Sequence, residues 1–207
     1  MISLSNAVVF GWHSAIMGMR NPMNSWAKSD SAFFSDFSCK IGQNDLALME
    51  KLIKAGAEHR KFLRMLHVQM DIEAPLYWWK EFETYKIGTV SNSCSTMHKI
   101  SAKEFTVEDF SVEHLLAENT VYFGKTIERL NNARNKFLET KDKKYWWQMI
   151  QLLPSSYNQL RTVDLNYEVL LNQYFQRKDH KLDEWRIYCE QIKCFPYLNE
   201  FIEVLKK

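Results

Sequence analysis

Polar and apolar residues alternate through His67-Val68-Gln69-Met70-Asp71-Ile72, the period of two expected of a strand with one buried face. Directly after it, Ala74-Pro75 predicts a helix start, because proline at the first helical position gives up an N–H that has no partner there anyway. Leu76, Trp79, Phe82 and Glu83 then share one stripe at helical spacing, with Lys80, Glu81 and Lys86 beside it, until Gly88 ends the run. The segment that follows, Thr89 to Thr96 (TVSNSCST), is rich in hydroxyls and predicts a polar loop, the one stretch whose composition suits a site.

Around this unit the pattern is mostly helical. Upstream, Val8-Val9-Phe10 predicts a short strand, and Met19 to Trp26 (MRNPMNSW) reads as an Asn-Pro turn or as a pocket wall of Arg20, Asn21, Asn24 and Trp26. Asn44 or Asp45 is placed to cap a helix reaching about Leu66, with Leu46, Met49, Leu52 and Ile53 on its apolar face and a break or kink at Gly56. Downstream, Thr106 and Asp109 predict a capping box opening a helix that carries Phe110, His114 and Leu115. Helices are expected over 120–139 and 142–153, a turn at Pro154 to Asn158, a helix from Thr162 to Lys178, and short helices at 181–194 and 197–205.

Composition bounds this picture. A chain of 207 residues, 46% hydrophobic and 14% aromatic, can bury a large core, and with six glycines, four prolines and no low-complexity run it reads as a single domain spanning 1–207. The 27 basic and 25 acidic residues leave a net charge of +2, which gives no global field towards nucleic acid or membrane. Neither a signal peptide nor a membrane span is expected from so short an apolar run as Ala7 to Phe10. Four cysteines at 39, 94, 189 and 194 lack zinc-type spacing and disulfide density, which points to a reducing cytoplasm.

The residues alone support little chemistry. Six scattered histidines form no His-x-x-x-His pair, so no metal site is expected. Cys94, with His98 four residues on, is a nucleophile or an idle thiol, while Cys189 and Cys194 read as buried thiols. A glycine-rich phosphate loop is missing. The pairs Trp78-Trp79 and Trp146-Trp147 suit either a core or a platform for a flat ring. Unaided, the reading is an α+β domain with a polar loop.

The order of elements from about His59 to Arg186 resembles that of the flavin-dependent thymidylate synthases: a helix ending in histidine, a strand, an Ala-Pro helix, a Ser/Thr/Asn loop, then a Leu-Pro turn and an Asn-bearing helix that ends in arginine. Laid on Ala74-Pro75, the register sets Lys80-Glu81-Phe82 on the family's Arg-Gln-aromatic and Thr84-Tyr85-Lys86 on the Arg-His-Arg that opens its motif Arg-His-Arg-x-x-Ser-x-Asn-Glu-x-Ser-x-Arg-Tyr. Thr89 falls on the first motif serine and His59 on the histidine that contacts flavin. Asn92 and Ser95 meet the motif Asn and second Ser with one inserted residue, whereas the gapless register puts Ser91 and Cys94 there. Leu153-Pro154, Asn166, Asn172 and Arg177 keep the family's spacing. Glu168 stands where the family's Asn-x-Arg has its cation, and Ile150 stands where an arginine usually precedes Leu-Pro.

This resemblance implies helices packed around a small mixed or antiparallel sheet, and a divergent member acting on dUMP or a related pyrimidine nucleotide. The implied reaction is reductive methylation to dTMP, with FAD as electron carrier and NADPH and methylenetetrahydrofolate as co-substrates. His59, Tyr85, Lys86, Asn92, Asn166 and Asn172 would line the flavin. Ser95 and Arg177 would be catalytic and hold the nucleotide, with Glu81 at the substrate, and Lys86, Arg177 and Arg20 or Arg161 would take up phosphate charge. A homotetramer with sites at its interfaces is also implied. The competing implication is a non-catalytic or altered-substrate nucleotide-binding descendant of the same fold.

Overall fold

The computed structural model describes residues 1–206, and the chain forms two compact units. One comprises Met1–Ser3, Ile72–Thr84 and Asn92–Arg161; the other comprises Leu4–Asp71, Tyr85–Ser91 and the chain from Thr162 onward. In chain order the strands are β1 (Ser3–Phe10), β2 (Ala32–Phe33), β3 (Cys39–Lys40), β4 (His67–Pro75), β5 (Thr89–Ser93) and β6 (Asn158–Asn166). The α-helices are α1 (Trp12–Arg20), α2 (Gln43–Lys54), α3 (Leu76–Phe82), α4 (Thr96–Lys99), α5 (Ala117–Thr140), α6 (Lys143–Leu152), α7 (Tyr167–Arg177), α8 (Asp183–Ile192) and α9 (Leu198–Lys206). This is an α+β fold with a four-stranded antiparallel sheet in the order β1-β4-β6-β5 and a small β2-β3 hairpin. Each of the four strands has residues in both units.

The alternation in β4 does what it predicts: Val68, Met70, Ile72 and Ala74 are buried, and the polar set between them is not. On that polar face Asp164 of β6 accepts from Gln69 Nε2 at 2.8 Å and lies 2.8 Å from His67 Nδ1, while Asp71 accepts from Asn6 and Thr162. The strand runs further than its pattern suggests. Pro75 is its last residue, with extended ψ, and it caps α3 instead of starting it. In α3 the buried stripe is Trp78, Trp79 and Phe82, and Trp79 donates to the Gln159 carbonyl at 2.9 Å. These tryptophans are core, not a ring-stacking platform.

Four other expected elements differ, each for a local reason. The helix starting near residue 43 stops at Lys54, where Gly56 takes a positive φ of 107°; its first N–H groups, those of Asn44 and Asp45, are capped by Asp30 rather than by either residue. The Thr106–Asp109 capping box is present but closes a single 3₁₀ turn, because Phe110 leaves it extended and bridges to Tyr157. The hydroxyl-rich segment is strand β5 rather than loop, and Ser95 caps α4. Thr162 to Asn166 is the end of β6, so the expected helix begins only at Tyr167. Cys189 is buried and its thiol is pushed up to about 12 by that burial, whereas Cys194 is exposed.

In the unit that holds α5 and α6, the core is Ile100, Phe105, Phe110, Leu130, Ala133 and Met149, with Phe123, Phe137, Trp146 and Tyr157 packed against it. In the other unit, Trp12 packs edge-on against Tyr167 and Tyr197, and Phe62 and Tyr167 meet Phe201. In the Met19 to Trp26 segment Arg20 turns inward, while Asn21, Asn24 and Trp26 are exposed. Arg20 is buried and donates from Nε to Asp45 at 2.6 Å, and its two amino groups donate to the carbonyls of Ser25 and Lys28. Asp45 also accepts from the hydroxyls of Ser29 and Ser31 at 2.7 Å and from the N–H groups of Asp30 and Ser31. Arg20 therefore tethers α1 to α2, and it is not the phosphate cation expected of it.

Removing one member of a buried pair strands the other charge, at a cost of about 3–5 kcal/mol, so Arg20→Met should lower unfolding free energy by about that much in urea titration at neutral pH. Burial pushes the Asp45 carboxyl up, but the bonds from Ser31, Ser29 and Arg20 outweigh it and hold the group below its ordinary value. Stability from a carboxylate depressed in the folded state is present above its unfolded pKa of about 3.9 and is lost as pH falls through the folded value. The wild type should therefore lose stability on acidification below about pH 4, and Asp45→Asn should lose less over the same range.

Candidate functional site

The larger cleft belongs to the unit from Thr162 onward and follows from how β6 hands over to α7. Asn166 ends the strand, is buried, and accepts from the Val169 N–H at 3.1 Å, capping the helix. The chain passes Asn166 at Gly88, whose φ is +75° and whose missing Cβ would sit 2.7 Å from Asn166 Nδ2. Only glycine suits both conditions, and the neighbouring Ile87 is left 93% exposed at the cleft. Along α7, Glu168, Leu171, Asn172 and Phe175 stand at i, i+3, i+4 and i+7, so they share a face. With Arg60, Ile87, Val169 and Leu205 they enclose about 580 Å³, within the range of about 300–1,000 Å³ typical of ligand pockets.

Arg60 and Glu168 form the charged edge of this cleft. Nε lies 3.0 and 3.2 Å from the two carboxylate oxygens and a terminal amino group 2.8 Å from one of them, with both side chains about a fifth exposed. Beyond Asn172 runs a chain of hydrogen bonds. Gln176 Nε2 donates to Asn172 Oδ1 at 2.7 Å, the Tyr85 hydroxyl donates to Gln176 Oε1 at 2.9 Å, and Arg177 Nε donates to the Tyr85 oxygen at 2.9 Å. The Arg177 guanidinium lies over the rings of Trp185 and Tyr85, 5.0 and 5.6 Å from their centres.

The structure thus joins three residues expected at the site, Tyr85, Asn172 and Arg177, in one network, and it sets Asn166 at the mouth of the helix that carries two of them. His59 is an exposed turn residue beside Arg60, and Lys86 is exposed beside Ile87; neither lines the cleft. Arg60, Gln176 and Trp185 were missed by sequence reading. Gln176 carried a signal, since Asn and Gln four apart on a helix face are placed to bond; Arg60 carried none, because its partner is 108 residues away.

Glu81, Asn92 and Ser95 belong to the other unit. Glu81 is half-buried on α3, Asn92 is exposed on β5, and Ser95 accepts from the His98 N–H at 3.0 Å. Ser95 lines a smaller cavity of about 270 Å³ with Cys94, Lys99, Lys103, Asp109 and Tyr157 among its walls. Lys103 is ion-paired to Asp109, which raises its pKa, and the Tyr157 hydroxyl is raised by burial and then by the Asp109 charge. Arg161 also sits in this unit, bonded to Glu83 and Gln159 and stacked 4.4 Å from the Trp79 ring centre. Among the described residues no three His, Cys, Asp or Glu side chains gather to hold a metal, and no helix is long and apolar enough to cross a membrane.

No protein-family profile matches this chain, and no curated protein does either. Solved structures do. Flavin-dependent thymidylate synthase ThyX from Helicobacter pylori, complexed with FAD and dUMP, is similar in two structures. In one the TM-score is 0.68 at 15% identity, covering 97% of this chain and 96% of that one. In the other it is 0.69 at 16% identity, covering 100% and 99%. The UMP/dUMP methylase PolB from Streptomyces cacaoi, bound with 5-Br dUMP, gives a TM-score of 0.66 at 11% identity, covering 100% of this chain and 94% of that one. Over its whole length, this chain has the fold of the flavin-dependent thymidylate synthases.

Proposed function

We propose that this protein is a divergent flavin-dependent thymidylate synthase, converting dUMP to dTMP with methylenetetrahydrofolate as carbon donor and NADPH as the source of electrons. The observation that carries the reading is end-to-end similarity to ThyX structures holding FAD and dUMP, joined to a network of Tyr85, Asn172 and Arg177 beside a cleft of ligand size. The cleft suits the ring system of a flavin. It has apolar walls in Ile87, Val169, Phe175 and Leu205 and an amide in Asn172 whose orientation Gln176 fixes. Nearby, the Thr89 hydroxyl is buried with no partner. When bound, reduced flavin supplies the electrons for the methyl transfer.

The chain's own work is positioning. Asn166 and Asn172, with Tyr85, hold the flavin side. Arg177 holds the nucleotide through a guanidinium whose plane Trp185 and Tyr85 fix. Ser95 keeps its hydroxyl proton for a ligand after its oxygen has capped α4. Sites shared between copies in a homotetramer suit the exposed Ile87 and Val90 flanking Gly88. A second reading, an altered pyrimidine nucleotide, is favoured by one observation: Arg20, Arg60 and Arg161 are each engaged by an acid of this chain, which reduces the cations available to phosphate.

The purified protein should carry flavin absorbance in the visible range. Losing a hydrogen bond costs about 0.5–1.5 kcal/mol, so Asn172→Ala and Tyr85→Phe should each weaken flavin retention by up to about tenfold with the circular dichroism unchanged; full retention in both would count against this cleft. Calorimetric titration at low salt should show dUMP binding that Arg177→Ala abolishes, since a charged hydrogen bond is worth about 1.5–3 kcal/mol. Binding of UMP in preference to dUMP would favour the second reading. Light scattering should return a tetramer, and a monomer at micromolar concentration would remove the shared site.

A further inference from the structure

The charge of the larger cleft, taken with the flavin reading on which this inference rests, decides which part of a ligand it takes. Its only charged lining groups among the described residues are Arg60 and Glu168, and they neutralise one another. Every other lining group is apolar or an amide. A phosphate entering here would carry a charge of about −1.5 to −2 towards a carboxylate that already lies against the only cation. To use Arg60 it would have to break three charge-assisted bonds and leave Glu168, about a fifth exposed, without its partner. A neutral heteroaromatic ring meets no such conflict. Its faces suit Ile87, Val169 and Phe175, and an edge bearing both donors and acceptors suits the Asn172 amide, held in place by Gln176.

We infer that the Arg60–Glu168 pair is a specificity element that reserves this cleft for the uncharged ring system of a flavin and keeps phosphate out of it. The cleft then recognises riboflavin as well as its phosphorylated forms, and any phosphate lies elsewhere.

The test uses the full-length protein and the quenching of flavin fluorescence on binding riboflavin, FMN and FAD at low salt. In the wild type, riboflavin and FMN should bind within about threefold of each other. Glu168→Gln leaves Arg60 with a neutral neighbour, and the preference should move towards FMN by about tenfold, falling again as salt is added because an exposed cation is screened. The double variant Arg60→Gln with Glu168→Gln should restore near-equal binding, which a purely structural role for the pair would not predict. Wild-type preference for FMN by tenfold or more, or a Glu168→Gln ratio equal to that of the wild type, would overturn the inference while leaving the flavin reading intact. If none of the three flavins binds the wild type, the flavin reading itself fails and the inference with it.

Discussion

The arrangement around the cleft depends on one side chain at one junction. Asn166 ends β6 and begins α7, and a residue in that position must leave the strand extended while satisfying the first free N–H groups of the helix. Its carboxamide does so through Val169. The same group is pressed against Gly88, where a Cβ would fall 2.7 Å from the amide nitrogen. The direction of α7, and with it the positions of Glu168, Asn172 and Arg177, is thus tied to the path of the chain between Tyr85 and Thr89. Tyr85 closes this loop a second time, because its hydroxyl accepts from Arg177 and donates to Gln176. Two contacts of different chemistry, one steric and one polar, hold the same two segments together.

A second regularity is the treatment of arginine. Arg20 meets Asp45, Arg60 meets Glu168, and Arg161 meets Glu83 while stacking on Trp79. Arginine suits these places since its planar fork makes parallel bonds and its face packs on rings. The consequence is that cations counted from sequence overstate what a phosphate would meet. The substitution of glutamate at 168, which on sequence grounds looks like the loss of a binding charge, is in the structure half of a pair whose other half lies in the turn before β4.

How much of this was legible follows from which signals are local. The period of two in β4 gave its buried face correctly, because that pattern is set by residues adjacent in sequence and one face is covered. The end of β6, from Thr162 to Asn166, falls in the stretch that the sequence pattern assigns to a helix reaching Lys178. The competing period of two at Val163 and Leu165 is too short to win, and Asn166 is the residue where the strand stops and the helix is capped. The residues joined at the site were legible only through their family spacing, not through any local pattern. Arg60 with Glu168, and Asp30 capping α2 from outside, are pairings across the fold that no window of sequence contains.

The aromatic residues show the same division between what composition announces and what geometry assigns. Trp78 and Trp79 look like a platform for a flat ligand, yet both are wholly buried, and Trp79 is bound to the backbone of β6. Trp185 shows no such pairing in the sequence, but from α8 it lies under the Arg177 guanidinium, edge-on to Tyr85 at 6.0 Å between ring centres. A guanidinium stacked on one ring and bonded through Nε to the hydroxyl of another has its plane set before any ligand arrives, and little side-chain entropy remains to be lost on binding. The same aromatic contacts that complete the core of this unit therefore also fix the Arg177 guanidinium, so α8, which contributes no residue to the cleft, governs the orientation of a charged group beside it.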